Sequence, residues 1–429
     1  MSKHATRKTI TKLLQRLKES LFAIALAAIS ISAFAAPDEE LLGKSKGYPI
    51  GTATNYFFEE SVRVGSFSNQ DKIPNLFNGK PNEIQSGGTV MPLPKAEKEP
   101  WDFRWRANNQ SGLTVDDFLN RQRIMGLLVV KDGVIQIERY QYDRTPEQRF
   151  LSNSMAKSIL SLGIGFAVED KLLELDKTAD SYVPDLKGTV YGEASLKNLL
   201  RMSSGARFIE NYSGQDDLAK YNRASISGGV PAGAKAVEVR ALPQGEKFNY
   251  ASSETEILAL VLRTVLPGTI SEYVSQKLWK PMGAEQSAIW RAFKDGLEKA
   301  GGNFNATLRD YGRLGVILAN DGYRPDTKQQ IIPKQYLQDA TRADRQPEQF
   351  RPGKATPYYG YGYQFWIFPG SKHRFALLGT YGQIIFVDPE AKLVMVMTSA
   401  NKTAKPGETT LGAEADAFWR GLVNHWSRW

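Results

Sequence analysis

Apolar residues fall along this chain in two kinds of run. Toward the front of the second hundred residues, and again near the end, they are short and dense. These runs are IMGLLVV (124–130), VIQIERY (134–140), YGYQFWIF (361–368), RFALL (374–378), QIIFVDPE (383–390) and KLVMVMTS (392–399). Runs of that length bounded by turn residues predict strands. Lys131-Asp132-Gly133 predicts a hairpin turn between the first two, and Asp388-Pro389-Glu390 a turn between the last two. Between these groups the apolar residues return at helical spacing, in segments separated by Gly or Pro: 158–173, 196–202, 254–266, 270–279 and 306–321. Thr114-Val-Asp-Asp117 is a helix-start pattern, and 412–426 reads as an amphipathic C-terminal helix. The pattern predicts an α/β (α+β) chain. An antiparallel sheet is built from both chain ends and flanked by helices, and a mainly helical lobe, about 160–320, is inserted beside it.

The ends of the pattern set the organisation. Six basic residues before residue 20 against the single acid Glu19 lead into the uncharged LFAIALAAISISAFA (21–35), which ends in small residues. This is the three-part form of a secretory signal, cleaved after Ala35 or Ala36; an anchoring N-terminal helix is the alternative. The expectation is a periplasmic or secreted protein with no stable membrane span once the signal is removed. Residues 36–112 are rich in Gly, Pro, Asn and charge and read as an N-terminal extension, and residues 113–429 as the main domain. Composition is ordinary for a globular chain of 429 residues, 41% apolar and 24% charged. Five of the nine net positive charges belong to the signal region, so nucleic acid is not an expected partner. With no cysteine, disulfides and thiolate metal sites are excluded.

The chemistry is narrowed by what is missing. His4, His373 and His425 are the only histidines, and there is no Gly-x-Ser-x-Gly elbow, metal-binding spacing or dinucleotide fingerprint. No cofactor or metal is expected. A serine can instead be activated by a lysine made neutral through burial. Ser154-Met155-Ala156-Lys157 sets the two on one helix face at the start of the apolar segment. A capping role for Ser154 is the alternative. Ser399 to Lys402 repeats the spacing at a strand end, where the geometry is wrong. Tyr250-Ala251-Ser252 precedes another helix; a tyrosinate beside an ammonium would be a competent base. Tyr273-Val274-Ser275 repeats that pattern inside a helix, where packing is the expected role. Gly379 and Thr380, between two late strands, would let backbone approach a substrate and donate to a carbonyl oxygen.

As an ordered set these motifs resemble the family of class C β-lactamases, DD-carboxypeptidases and related esterases. Supporting stretches are LLRMSSGARF (199–208), GGNFNATLRDYGRLG (301–315) and QIIFVDP (383–389). Within the family the likeness is greatest to 6-aminohexanoate-dimer hydrolases and similar amidase-esterases, which share Gly379-Thr-Tyr-Gly-Gln383. The resemblance implies a β-lactamase/DD-peptidase-like fold and an acyl-enzyme on Ser154. It further implies that Lys157 and Tyr250 manage the protons, that N–H groups of Ser154 and Thr380 bind the oxyanion, and that Ser252 bonds Lys157 and substrate. Tyr212 is then a pocket tyrosine, with Trp366 a second candidate wall. Lactam-processing members carry Lys or His before Thr-Gly on the late strand, where this chain has Leu377-Leu378-Gly379. That favours esters or linear amides, a small-molecule partner, over peptidoglycan or lactams. A non-catalytic relative of the fold is the remaining alternative.

Overall fold

The structure, a computed structural model, describes residues 36–429, so the signal segment expected over 1–35 lies outside the described residues. The main sheet is antiparallel and has seven strands. Two come from the front, β1 (Ile124–Lys131) and β2 (Val134–Tyr140). Five come from the back: β3 (Gly360–Tyr361), β4 (Trp366–Ile367), β5 (Phe375–Gly379), β6 (Gln383–Asp388) and β7 (Leu393–Ser399). Their order is β3-β4-β5-β6-β7-β1-β2, so the early hairpin adds to the last strand, with Leu393 opposite Lys131 and Ser399 opposite Ile124. Asp132 and Gly133 both take positive φ, 52° and 78°, as the two-residue turn that matches strand twist requires.

The central strands are apolar throughout because both sheet faces are covered. Along β1, Leu128 and Val130 enter one core while Leu127 and Val129 enter the other. The second core is closed by α1 (Val115–Arg121), entered through a Thr114/Asp117 capping box, and by the C-terminal helix. The first core holds α2 (Met155–Glu169), α4 (Ser252–Val265) and α5 (Leu308–Ala319). The helix α3 (Asp217–Lys235), kinked at Gly229, lies in the intervening lobe, and α6 (Leu411–Trp426) is the C-terminal one. Phe418 of α6 stacks on Phe118 of α1 with ring centroids 4.5 Å apart.

Two expectations change. The lobe is not helical throughout: Ala288–Phe293 and Phe304–Thr307 are the middle strands of a second antiparallel sheet, edged by Asn78–Ile84 and Arg149–Leu151. And 361–368 is not one strand but a tight reversal, with Trp366 opposite Tyr361. Gln364 stands at its tip at φ 63°. Its buried side chain accepts from Thr255 Oγ1 at 2.8 Å and donates to the carbonyls of Leu199 and Leu200.

Residues 36–112 are packed against the rest of the molecule. Leu42, Val64, Phe67 and Leu76 are fully buried in the first core. The Arg63 guanidinium, also buried, donates to the carbonyls of Phe58 and Asn401.

Candidate active site

The second sheet positions the candidate nucleophile, Ser154. Ser152, just past the strand Arg149–Leu151, donates its N–H to the Phe304 carbonyl at 2.8 Å. Asn153 then turns the chain at φ 44°, and its side-chain amide donates to the Thr380 carbonyl at 3.0 Å. Ser154 follows as the residue capping α2, but its side chain makes no capping bond, which leaves the hydroxyl for other work. Lys157, one turn on and 1% exposed, places Nζ 3.0 Å from Ser154 Oγ and 2.5 Å from the Gly301 carbonyl. Burial pulls this lysine down to about 8; Lys299 pushes the same way, while Glu210 and Glu256 oppose it. The GGN turn is held in place from behind. Glu256 accepts N–H bonds from Ala300 and Gly301 and is ion-paired with buried Lys299.

Tyr250 lies in the extended entry to α4, as the sequence reading expects. Its ring stacks on Trp366 at 5.7 Å and 22°, the Lys157 amine sits 5.2 Å from the ring centre, and it lines one cavity with Ser154. The phenol is pushed well above its ordinary value by burial and then by the Glu210 charge. The direction of the shift favours the neutral phenol over a tyrosinate, whereas burial favours the neutral amine at Lys157.

Ser252 also departs from expectation. Its N–H and Oγ both donate to Glu210, each at 2.7 Å, rather than to Lys157. Glu210 is the residue that sequence reasoning missed. Burial and, after it, the Glu210 charge raise the Tyr212 phenol well above its ordinary value, and both side chains line the cavity. Tyr212 is held at φ 62° because Asp216, which caps α3, accepts the N–H groups of Asn211 and Tyr212 at 2.7 Å. Glu210→Gln is expected to move the rising limb of a pH–kcat/KM profile to lower pH, since the lost charge is one that holds the Lys157 proton on. An unmoved limb would contradict that coupling.

Gly379 ends β5 where a Cβ would come 2.3 Å from the Ser152 carbonyl, so only glycine lets the strand end approach the nucleophile's turn. Thr380 follows in a short 3₁₀ turn. Ser154, Glu210, Tyr212 and Thr380 line both of two connected cavities, of about 320 and 590 Å³. Neither of the described histidines lines these cavities. His373 bonds Thr341 and is held down to about 4 by burial, and His425 sits near the end of α6. Ser399 of the second Ser-x-x-Lys pattern donates to the Arg123 carbonyl, and Tyr273 bonds Asp170.

A family model described as Beta-lactamase matches residues 114–417. The 6-aminohexanoate-dimer hydrolase of Paenarthrobacter ureafaciens is 25% identical over 284 residues, 64% of this chain and 71% of the relative. A Bacillus anthracis protein provisionally named a 6-aminohexanoate-dimer hydrolase superposes with TM-score 0.76 at 24% identity. That match covers 87% of this chain and 96% of that one. A family VIII carboxylesterase superposes with TM-score 0.53 at 16% identity, over 70% and 93% of the two chains, a likeness of fold alone. With the family match spanning most of its length, this chain belongs to the beta-lactamase family of hydrolases.

Proposed function

We propose that the protein is an exported serine hydrolase that cleaves carboxylic esters or linear amides through an acyl-enzyme on Ser154. The observation that carries this reading is the buried Lys157 amine, 3.0 Å from Ser154 Oγ and held near pH 8. As Ser154 Oγ bonds to the substrate carbonyl carbon, its proton passes to neutral Lys157. The backbone N–H groups of Ser154 and Thr380 are the donors for the oxyanion. When the bond to the leaving group breaks, Tyr250 supplies that group's proton and is reprotonated from Lys157. Water then attacks the ester by the reverse route, releasing the acid and restoring Ser154. Leu377, at the position where lactam-processing members carry their cation, is an apolar side chain buried in the first core. That favours esters and linear amides over lactams.

The working base fixes the pH dependence. Below about 8 the neutral fraction of Lys157 falls tenfold per unit, so kcat/KM for a short-chain ester is expected to rise with that slope and level off above about 8. A profile flat from pH 6 to 9, or labelling by a tagged penicillin in preference to ester turnover, would overturn the reading.

A further inference from the structure

The two cavities meet at Ser154 but have different walls. Tyr250 and Trp366 line only the larger one, whereas Phe57, Phe58 and Phe77 line only the smaller. Tyr250 lines the larger cavity together with Ser154, and burial holds its phenol in the protonated form, so it is the donor for the departing group. A proton donor must lie within hydrogen-bond reach of the atom it serves. The leaving group therefore occupies the Tyr250 arm, and the acyl group occupies the other.

We propose that the acyl portion of the substrate is apolar, a medium alkyl chain or an aryl ring, seated against Phe57, Phe58 and Phe77, and that this N-terminal segment sets acyl selectivity. The inference rests on the hydrolase reading above. All three rings precede the family-matched residues 114–417, so this wall is supplied from outside the matched region. The segment is anchored rather than loosely draped. Phe57 meets the Tyr381 ring edge-on at 4.8 Å, and the Arg63 guanidinium lies over the same ring at 4.2 Å while binding the Phe58 carbonyl. Tyr381 belongs to the turn that carries Thr380, so the wall is tied to the oxyanion donor. Leu218 and Ile226 of α3 also line this arm. Phe58 is 53% exposed, with its ring tip near Gly214, an apolar surface left for a ligand to cover. The charges in this arm already have partners: Lys299 pairs with Glu256, Glu210 accepts the N–H and hydroxyl of Ser252, and Asp216 accepts three backbone N–H groups.

The test uses the full chain and p-nitrophenyl acetate, butyrate and octanoate, wild type beside Phe58→Ala, with phenyl and naphthyl acetates varying the leaving group instead. The loss in kcat/KM is expected to grow with acyl length, at least about tenfold larger for octanoate than for acetate. It is expected not to grow with leaving-group size. A uniform loss, or one that tracks the leaving group, overturns the assignment of the arms. Wild type that takes up a fluorophosphonate on Ser154 but turns over none of these esters overturns the acyl assignment alone. Wild type that is neither labelled nor active overturns the hydrolase reading, and this inference with it.

Discussion

Lys157→Met is expected to lower kcat/KM by about 10³–10⁴-fold while raising the melting temperature near neutral pH. The two effects share one cause. An amine that ordinarily titrates at 10.5 is held to about 8 by burial, which makes it a usable base and also an expensive resident. In the folded state it binds fewer protons than in the unfolded state between those values, so the native fold gains stability as pH rises from about 8 to 10.5. Below about 8 the full penalty applies, about 3 kcal/mol for a shift of this size. Methionine fills similar volume without that penalty. It leaves the Gly301 carbonyl without its lysine donor, at a cost of about 1 kcal/mol. Calorimetry at pH 6.5 and pH 10 should therefore show the variant ahead at the lower pH, with the advantage shrinking at the higher. A variant destabilised equally at both would mean that Lys157 is not held neutral at all.

Ser154→Ala is expected to remove at least about 10⁴-fold of kcat/KM, and the double variant Ser154→Ala, Lys157→Met to be no worse than the single. Residues that act as one unit fail together, because a base without its nucleophile has nothing to deprotonate. Stability should fall by no more than about 1 kcal/mol, since alanine loses the bond to Lys157 but no capping bond. Two losses that multiplied would point to independent roles for the serine and the lysine.

Much of this was legible because it is local. A serine and a lysine one helical turn apart, a hairpin around Asp132-Gly133, and two-sided apolar strands follow from spacing and turn chemistry. The resemblance then set Tyr250 and Thr380 beside Ser154, a neighbourhood that spacing alone does not give. What stayed hidden is non-local. Ala288–Phe293 and Phe304–Thr307 are short apolar segments whose outer partners, Asn78–Ile84 and Arg149–Leu151, lie more than a hundred residues away, and periodicity does not distinguish such strands from pieces of buried helix. The reversal at Gln364 depends on buried bonds to three distant residues. Glu210 went unremarked because its role comes from Ser252, which tertiary structure brings to it. The direction of the Tyr250 shift was misread for a related reason. Proximity to a cation suggested a lowered phenol, whereas burial and the unforeseen Glu210 charge raise it. The loop-like composition of residues 36–112 likewise gave no sign that Phe57, Phe58 and Phe77 face the nucleophile's cleft.

The central claim is that Ser154 is an activated nucleophile, and intact-protein mass spectrometry after incubation with a fluorophosphonate tests it most directly. The account predicts one adduct on wild type at pH 8, none on Ser154→Ala, and labelling of Lys157→Met slowed by orders of magnitude. A wild-type mass left unchanged under conditions that label a control serine hydrolase would contradict it, as would an adduct that persists in Ser154→Ala.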